Sequence, residues 1–158
     1  ADLLESGVDR TALDDARREL TKMPVSIYAY KAKLISQTRL SAKGRMAVVV
    51  VPHEDILTYS PLYNPAPLIQ GDMLQIQGVE GALVIKQYPR GKLTGSLRST
   101  SKAPIVADIA KTFGGGGHIY ASGFKIEENA NVADVIEAAE KFVLDYFASL
   151  PEESHATV

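Results

Sequence analysis

Residues 104–118 have the sequence PIVADIAKTFGGGGH, which predicts a helix that ends directly on a run of glycines. Pro104 suits the first position of a helix, and Gly114 stands where a left-handed C-terminal cap belongs. Apolar side chains recur along one face of this helix, at Ile105, Ile109, Ala110 and Phe113. Residues 122–127 then alternate in the manner of a strand. The stretch therefore predicts a glycine-rich loop between a helix and a strand.

The four glycines Gly114, Gly115, Gly116 and Gly117 are the strongest local indication of a binding site. Consecutive glycines lose much conformational entropy on folding, so an ordered protein keeps them where the backbone needs a positive φ or a close approach. Such a segment can turn successive N–H groups towards a phosphate, and His118 at its exit adds a further donor. A flexible linker is the alternative, but linkers are longer and richer in serine. The Gly-Lys-Ser/Thr ending of a Walker P-loop is missing.

A second candidate site is Ser96-Leu97-Arg98-Ser99, at the end of a predicted strand. Ser96 and Arg98 share one face of that strand because successive side chains alternate. A guanidinium fork and a hydroxyl on one face can reach the same oxyanion. Taken alone, an arginine at a strand end is more often simply solvated. The interpretation as an anion site therefore rests on both segments bordering the same helix.

The rest of the chain predicts an α/β fold. Residues 46–51 (MAVVVV) are a continuous β-branched run, typical of a strand buried on both faces. Residues 81–88 and 92–98 predict two strands joined at Pro89–Gly91 by a turn of hairpin length. Helical spacing of apolar residues marks residues 27–40 and, after an Asn131 cap, residues 132–150. We predict a mixed sheet of about four to five strands with helices packed on it.

Composition and charge narrow the class of protein. The 158 residues carry a formal net charge of −2, which gives no reason to expect a duplex-DNA binder. Residues 81–126, however, contain seven basic residues and a single acidic one, Asp108, so this third of the chain should attract anions. There is no cysteine, which fits a cytoplasmic protein and excludes thiolate metal sites. The longest apolar run, residues 46–52, is too short to span a bilayer, so no membrane partner is expected.

Four segments together resemble a known family: residues 96–99 (SLRS), 109–113 (IAKTF), 114–118 (GGGGH) and 121–124 (ASGF). They resemble the C-terminal DHH-associated domain of the phosphoesterases that are named for an Asp-His-His motif. Within that family the likeness is greatest to bacterial oligoribonucleases (nanoRNases) that also remove phosphate from 3′-phosphoadenosine 5′-phosphate (pAp). Ile119-Tyr120 departs from the basic or polar residue and alanine that commonly follow the histidine, which leaves the substrate open.

The resemblance implies a role for each site residue. Arg98 and Ser99 would contact a terminal phosphate or nucleotide, the backbone of residues 114–117 would cradle it, and His118 would donate to it. None of these residues needs to be a nucleophile. Tyr120, at the point of departure from the family pattern, is placed to stack on a base.

The resemblance also implies a division of labour with a domain outside this sequence. Residues 1–24 would be a helical connector from an N-terminal DHH domain, residues 25–151 the substrate-binding domain, and residues 152–158 a frayed tail. The two manganese ions of the family belong to the N-terminal domain, and no Asp-His-His motif occurs in this chain. We therefore expect no catalytic residue and no metal here, and no hydrolysis by the isolated chain. The expected partners are short single-stranded RNA or a nucleotide phosphate, the protein's own DHH domain, and a second copy through the parent protein.

Two other functions remain open at this point. Related domains occur in enzymes such as alanyl-tRNA synthetase, so the chain is also compatible with a non-catalytic nucleotide- or RNA-binding module. A purely structural assembly domain would leave the glycine run and the basic third of the chain unexplained.

Overall fold

The computed structural model describes residues 9–60 and 62–151. These residues form six α-helices: α1 (Arg10–Thr21), α2 (Val25–Ser36), α3 (His53–Tyr59), α4 (Pro65–Met73), α5 (Val106–Thr112) and α6 (Val132–Ser149). The chain divides into two compact units, Ala1–Tyr30 and Lys31–Val158, and α2 crosses the division. In the first unit, the Asp9 carboxylate caps α1 by accepting a hydrogen bond from the Thr11 N–H at 2.9 Å. The start of the predicted connector, residues 1–8, and the predicted frayed tail lie outside the described residues.

The second unit is built on a mixed sheet of six strands. The strands are β1 (Arg39–Ser41), β2 (Met46–Val51), β3 (Gly81–Gln87), β4 (Leu93–Ser99), β5 (Gly116–His118) and β6 (Ala121–Ile126). They lie in the order β1-β2-β3-β4-β6-β5. Only the β2–β3 pair is parallel among the pairings of the described strands. The parallel pair arises because helices α3 and α4 form the crossover between those strands.

The main hydrophobic core lies between one face of this sheet and helices α5 and α6. Alternate residues of the strands face it, including Leu97 from β4 and Phe124 from β6. The residues that alternate with these along the strands point to the opposite face. Ala82 and Val84 on β3 are buried there, where α4 packs against β3. Strand β2 is buried on both faces, as its unbroken run of β-branched residues predicts.

The predicted fold class is confirmed, with differences at particular elements. The hairpin of β3 and β4 is present, and its turn at Pro89–Gly91 is a short 3₁₀ helix. The sheet has two strands beyond the inner four, β1 and β5, and each is only three residues long. Helix α2 ends at Ser36, not near Leu40, because the chain turns there to pair β1 with β2. Helix α5 begins two residues after Pro104, at Val106.

Candidate functional site

The pairing of three strands brings Arg98 and His118 to one face of the sheet. Arg98 on β4 is in register with Ala121 on β6, and Ala121 is in register with His118 on β5. Residues in register point to the same side of a sheet, so these three form one row. Neighbouring strands lie about 4.8 Å apart, which puts the Arg98 and His118 Cα atoms about 10 Å from each other. Both residues are exposed, and the residue between them in the row is the small Ala121.

The next row of the same face consists of small residues. Ser96 on β4 is in register with Gly123 on β6, and Gly123 with Gly116 on β5. All three are half-buried. We call the surface formed by these two rows the open face; its members are Arg98, Ala121, His118, Ser96, Gly123 and Gly116. The open face is therefore a shallow floor with a cationic side chain on one side and an imidazole on the other.

A third row extends the positive charge along the same face. Lys86 on β3, Thr94 on β4 and Lys125 on β6 are in register. The Lys125 ammonium lies 3.8 Å from a carboxylate oxygen of Glu127, but both side chains are more than half exposed, so this ion pair is weak. The charged side chains of the three rows are thus Arg98, Lys86 and Lys125, which favour an anion there although the chain as a whole carries −2.

The glycine run lies between helix α5 and strand β6, as predicted, and consists of a helix cap followed by the short edge strand β5. Gly114 has φ of +81° and its N–H donates to the Lys111 carbonyl at 3.0 Å. The Gly115 N–H donates to the Ala110 carbonyl at 2.8 Å. These two N–H groups complete the C-terminus of α5 and are not turned towards a common external point. The outward-facing N–H groups that remain for a ligand belong to β5, because an edge strand pairs on one side only.

The four glycines differ in why the fold needs them. Gly114 needs its left-handed φ, and a Cβ at Gly115 would lie 2.2 Å from the Gly123 carbonyl oxygen. Gly117 has φ of +146°, and its Cβ would lie 2.7 Å from the Ala121 carbonyl oxygen. Gly116 has neither constraint: its φ is not positive, and a Cβ there would meet no atom within 4 Å. Gly116 is thus the one glycine of the four whose missing side chain is not explained by folding.

Ser99 lies apart from the row of Arg98. It is in register with Gly81 and two residues beyond the buried Leu97, so its side chain points to the core face. Its Oγ is buried without a hydrogen-bond partner among the described residues. Of the predicted residues, the structure places Arg98, His118 and Gly116 on the open face. Gly117 is in the row of Ser122 and Leu97, on the same side of the sheet as the Ser99 side chain. Gly114 and Gly115 belong to the cap of α5. The contact of Ser99 with a phosphate stays a prediction.

Sequence reasoning missed Ala121 and Gly123 as parts of the site. Their signal was the alternation of small residues in Ala121-Ser122-Gly123, which indicates a strand face with room above it. Two further observations concern residues 9–60 and 62–151 only. No three His, Asp or Glu side chains of this part lie together in a way that could hold a metal ion. None of its helices is both long and apolar enough to cross a membrane.

The fold and the open face define the class of protein: an α/β domain with a basic sheet face floored by small residues. The chain belongs to the DHHA1 domain family of DHH phosphoesterases, whose model matches residues 66–145. This match includes the glycine run, helix α5 before it and strand β6 after it, and it confirms the resemblance in the sequence to a DHH-associated domain.

Two solved structures show the same fold. An exopolyphosphatase-related protein from Bacteroides fragilis superposes with a TM-score of 0.71 at 22% identity, over 91% of this chain and 41% of that chain. A pGpG-specific phosphodiesterase from Vibrio cholerae gives a TM-score of 0.51 at 11% identity, over 78% of this chain and 39% of that chain. The chain thus spans about two fifths of the length of these proteins. No curated protein sequence matches it.

Proposed function

We propose that the open face binds the phosphate of a short single-stranded RNA or of a nucleotide such as pAp. The observation that carries this proposal is Gly116, whose missing side chain serves no folding need and lies on the face of Arg98 and His118. A side chain at Gly116 would stand on the floor where a phosphate has to sit.

The chemistry of the flanking residues suits a phosphate. Arg98 offers a planar fork of N–H donors that matches two phosphate oxygens, and His118 offers a donor from the other side. The gap of about 10 Å between their Cα atoms leaves room for a tetrahedral anion between two side chains of this length. These residues would bind and orient the substrate, and none of them would attack it.

In this proposal, hydrolysis belongs to the parent protein. The manganese-bearing DHH domain would supply the metal-activated water, and this chain would hold the terminal nucleotide in front of it. The names of the two solved relatives, an exopolyphosphatase-related protein and a pGpG phosphodiesterase, support a phosphate-containing substrate. We propose a cytoplasmic location for the protein.

The test is an NMR titration of the 158-residue chain with pAp and with a dinucleotide. We expect a dissociation constant in the micromolar range at best, because only half of the cleft is present. Shifts should centre on residues 116–118 and Arg98. The same samples with added manganese should show no hydrolysis. An absence of shifts at these residues would contradict the binding role, and turnover by the purified chain would contradict the division of labour.

A further inference from the structure

The turn between β5 and β6 exposes two apolar side chains beside the open face. The turn consists of Ile119 and Tyr120, between the paired residues His118 and Ala121. Ile119 is 51% exposed and Tyr120 is 41% exposed. Two-residue hairpin turns favour Asn, Asp and Gly, which accept a positive φ. Neither Ile119 nor Tyr120 has a positive φ, so turn geometry does not explain the choice of these residues.

Hydrogen bonds hold this turn beside the row of Arg98, Ala121 and His118. The Ser99 N–H, one residue beyond Arg98, donates to the Tyr120 carbonyl at 3.0 Å. The Ser122 hydroxyl donates to the His118 carbonyl at 2.6 Å. The turn is thus tied to β4 on one side and to the start of β6 on the other. The backbone that carries the exposed Tyr120 side chain is therefore held beside the proposed phosphate site.

We propose that Ile119 and Tyr120 form a nucleobase platform, with the Tyr120 ring stacked on the base of the nucleotide whose phosphate lies between Arg98 and His118. This inference rests on the proposed function and adds the residues that recognise the base, which a pyrophosphate or polyphosphate chain lacks. Stacking on an aromatic ring tolerates any base because every base has a π-face. Two exposed side chains are too small an area for a protein interface, which usually buries about 800 Å² per partner.

The test compares a ligand that has a base with one that lacks it. AMP and ribose 5-phosphate carry the same phosphate and sugar, and only AMP has a base. Tyr120→Ala should weaken AMP binding about 5- to 100-fold and leave ribose 5-phosphate binding unchanged. Tyr120→Phe should keep AMP binding, because the ring remains. Tyr28→Ala, which removes a 68% exposed tyrosine from α2, serves as the matched control and should change neither ligand.

The outcomes separate the platform from the phosphate site. If Tyr120→Ala leaves AMP binding unchanged, the platform is excluded. If it weakens both ligands equally, the residue holds the turn in place and is not a platform. In either case, the proposal of the phosphate site would still stand if Arg98→Lys weakened the binding of ribose 5-phosphate. If the wild-type chain bound neither AMP nor ribose 5-phosphate, both proposals would be overturned. Thermal unfolding of each variant checks that the fold is retained.

Discussion

Among single residues, Gly116 is the position where a substitution should change ligand affinity without lowering the free energy of unfolding. Gly116→Ala adds a methyl group that meets no atom of the protein at a backbone conformation any residue accepts. We expect the free energy of unfolding to stay the same or to rise by up to about 1 kcal/mol. Affinity for pAp should fall, because the methyl group stands on the open face. Thermal unfolding and calorimetric titration measure the two effects.

Two other glycines provide the controls for this substitution. Gly71→Ala in α4 also meets no atom, so it should stabilise the chain without changing affinity. Gly117→Ala should lower the free energy of unfolding by about 1–3 kcal/mol, because it combines an unfavourable φ with a 2.7 Å contact to a carbonyl oxygen. Unchanged pAp affinity in Gly116→Ala would remove the main support for the binding site.

Arg98 tests whether the phosphate is held by geometry or by charge alone. Arg98→Lys keeps the charge but loses the fork of two parallel donors. Loss of one charge-assisted contact should weaken pAp binding about ten- to a hundredfold. Arg90→Lys makes the same change at an exposed arginine of the β3–β4 turn and should leave affinity unchanged. Equal affinity of Arg98→Lys and wild type would show that Arg98 is only a solvated surface residue.

At the scale of elements, Glu140 joins helix α6 to the edge of the sheet. Its carboxylate accepts hydrogen bonds from the Ser41 hydroxyl and from the Ala42 N–H, the latter at 3.1 Å. These two bonds lower the pKa of Glu140 below its usual value. A depressed folded-state pKa means that the stabilisation is present above the unfolded-state pKa of about 4.3 and is lost as pH falls through the folded-state value.

Glu140→Gln should therefore reduce stability at pH 7 and flatten the loss of stability below about pH 4.3. Urea unfolding across the pH range from neutral to acidic measures both effects. Glu137→Gln, an exposed neighbour on the same helix, is the control and should follow the wild-type curve. Parallel curves for Glu140→Gln and wild type in acid would show that the contact between α6 and residues 41–42 does not depend on the ionised carboxylate.

The elements that were predicted correctly are those whose own residues form a recognisable pattern. Strand β2 has an unbroken β-branched run, and helix α6 has a stripe of apolar residues behind an Asn131 cap. Strands β1 and β5 are too short for such a pattern and exist because neighbouring strands offer hydrogen-bond partners. The orientation of Ser99 away from the Arg98 row also depends on register. The site residues could thus be nominated from the sequence, but their arrangement into rows required the pairing of β4, β6 and β5.

For the whole molecule, the net charge predicts repulsion of a nucleotide, whereas the basic residues near the open face predict attraction. A protein with net charge −2 repels a nucleotide weakly at long range, whereas Arg98 on the open face and Lys86 and Lys125 in the row beside it would attract the nucleotide at short range. We expect pAp affinity to fall as sodium chloride is raised from about 0.05 to 0.5 M, because salt screens exposed charges. Calorimetry at several salt concentrations measures this slope. Affinity that is independent of salt would contradict an electrostatic site.

The position of β5 at one end of the strand order has a consequence for the kinetics of the site. A three-residue strand paired on one side opens at a lower free energy than the inner strands, and His118 lies on it. Each opening separates the imidazole from Arg98 and dismantles the row. In the proposed complex, local unfolding of β5 would therefore give the nucleotide a route of release that needs no movement of the core. Amide hydrogen exchange at residues 116–118 should slow as ligand is added, because the opened strand no longer binds the ligand.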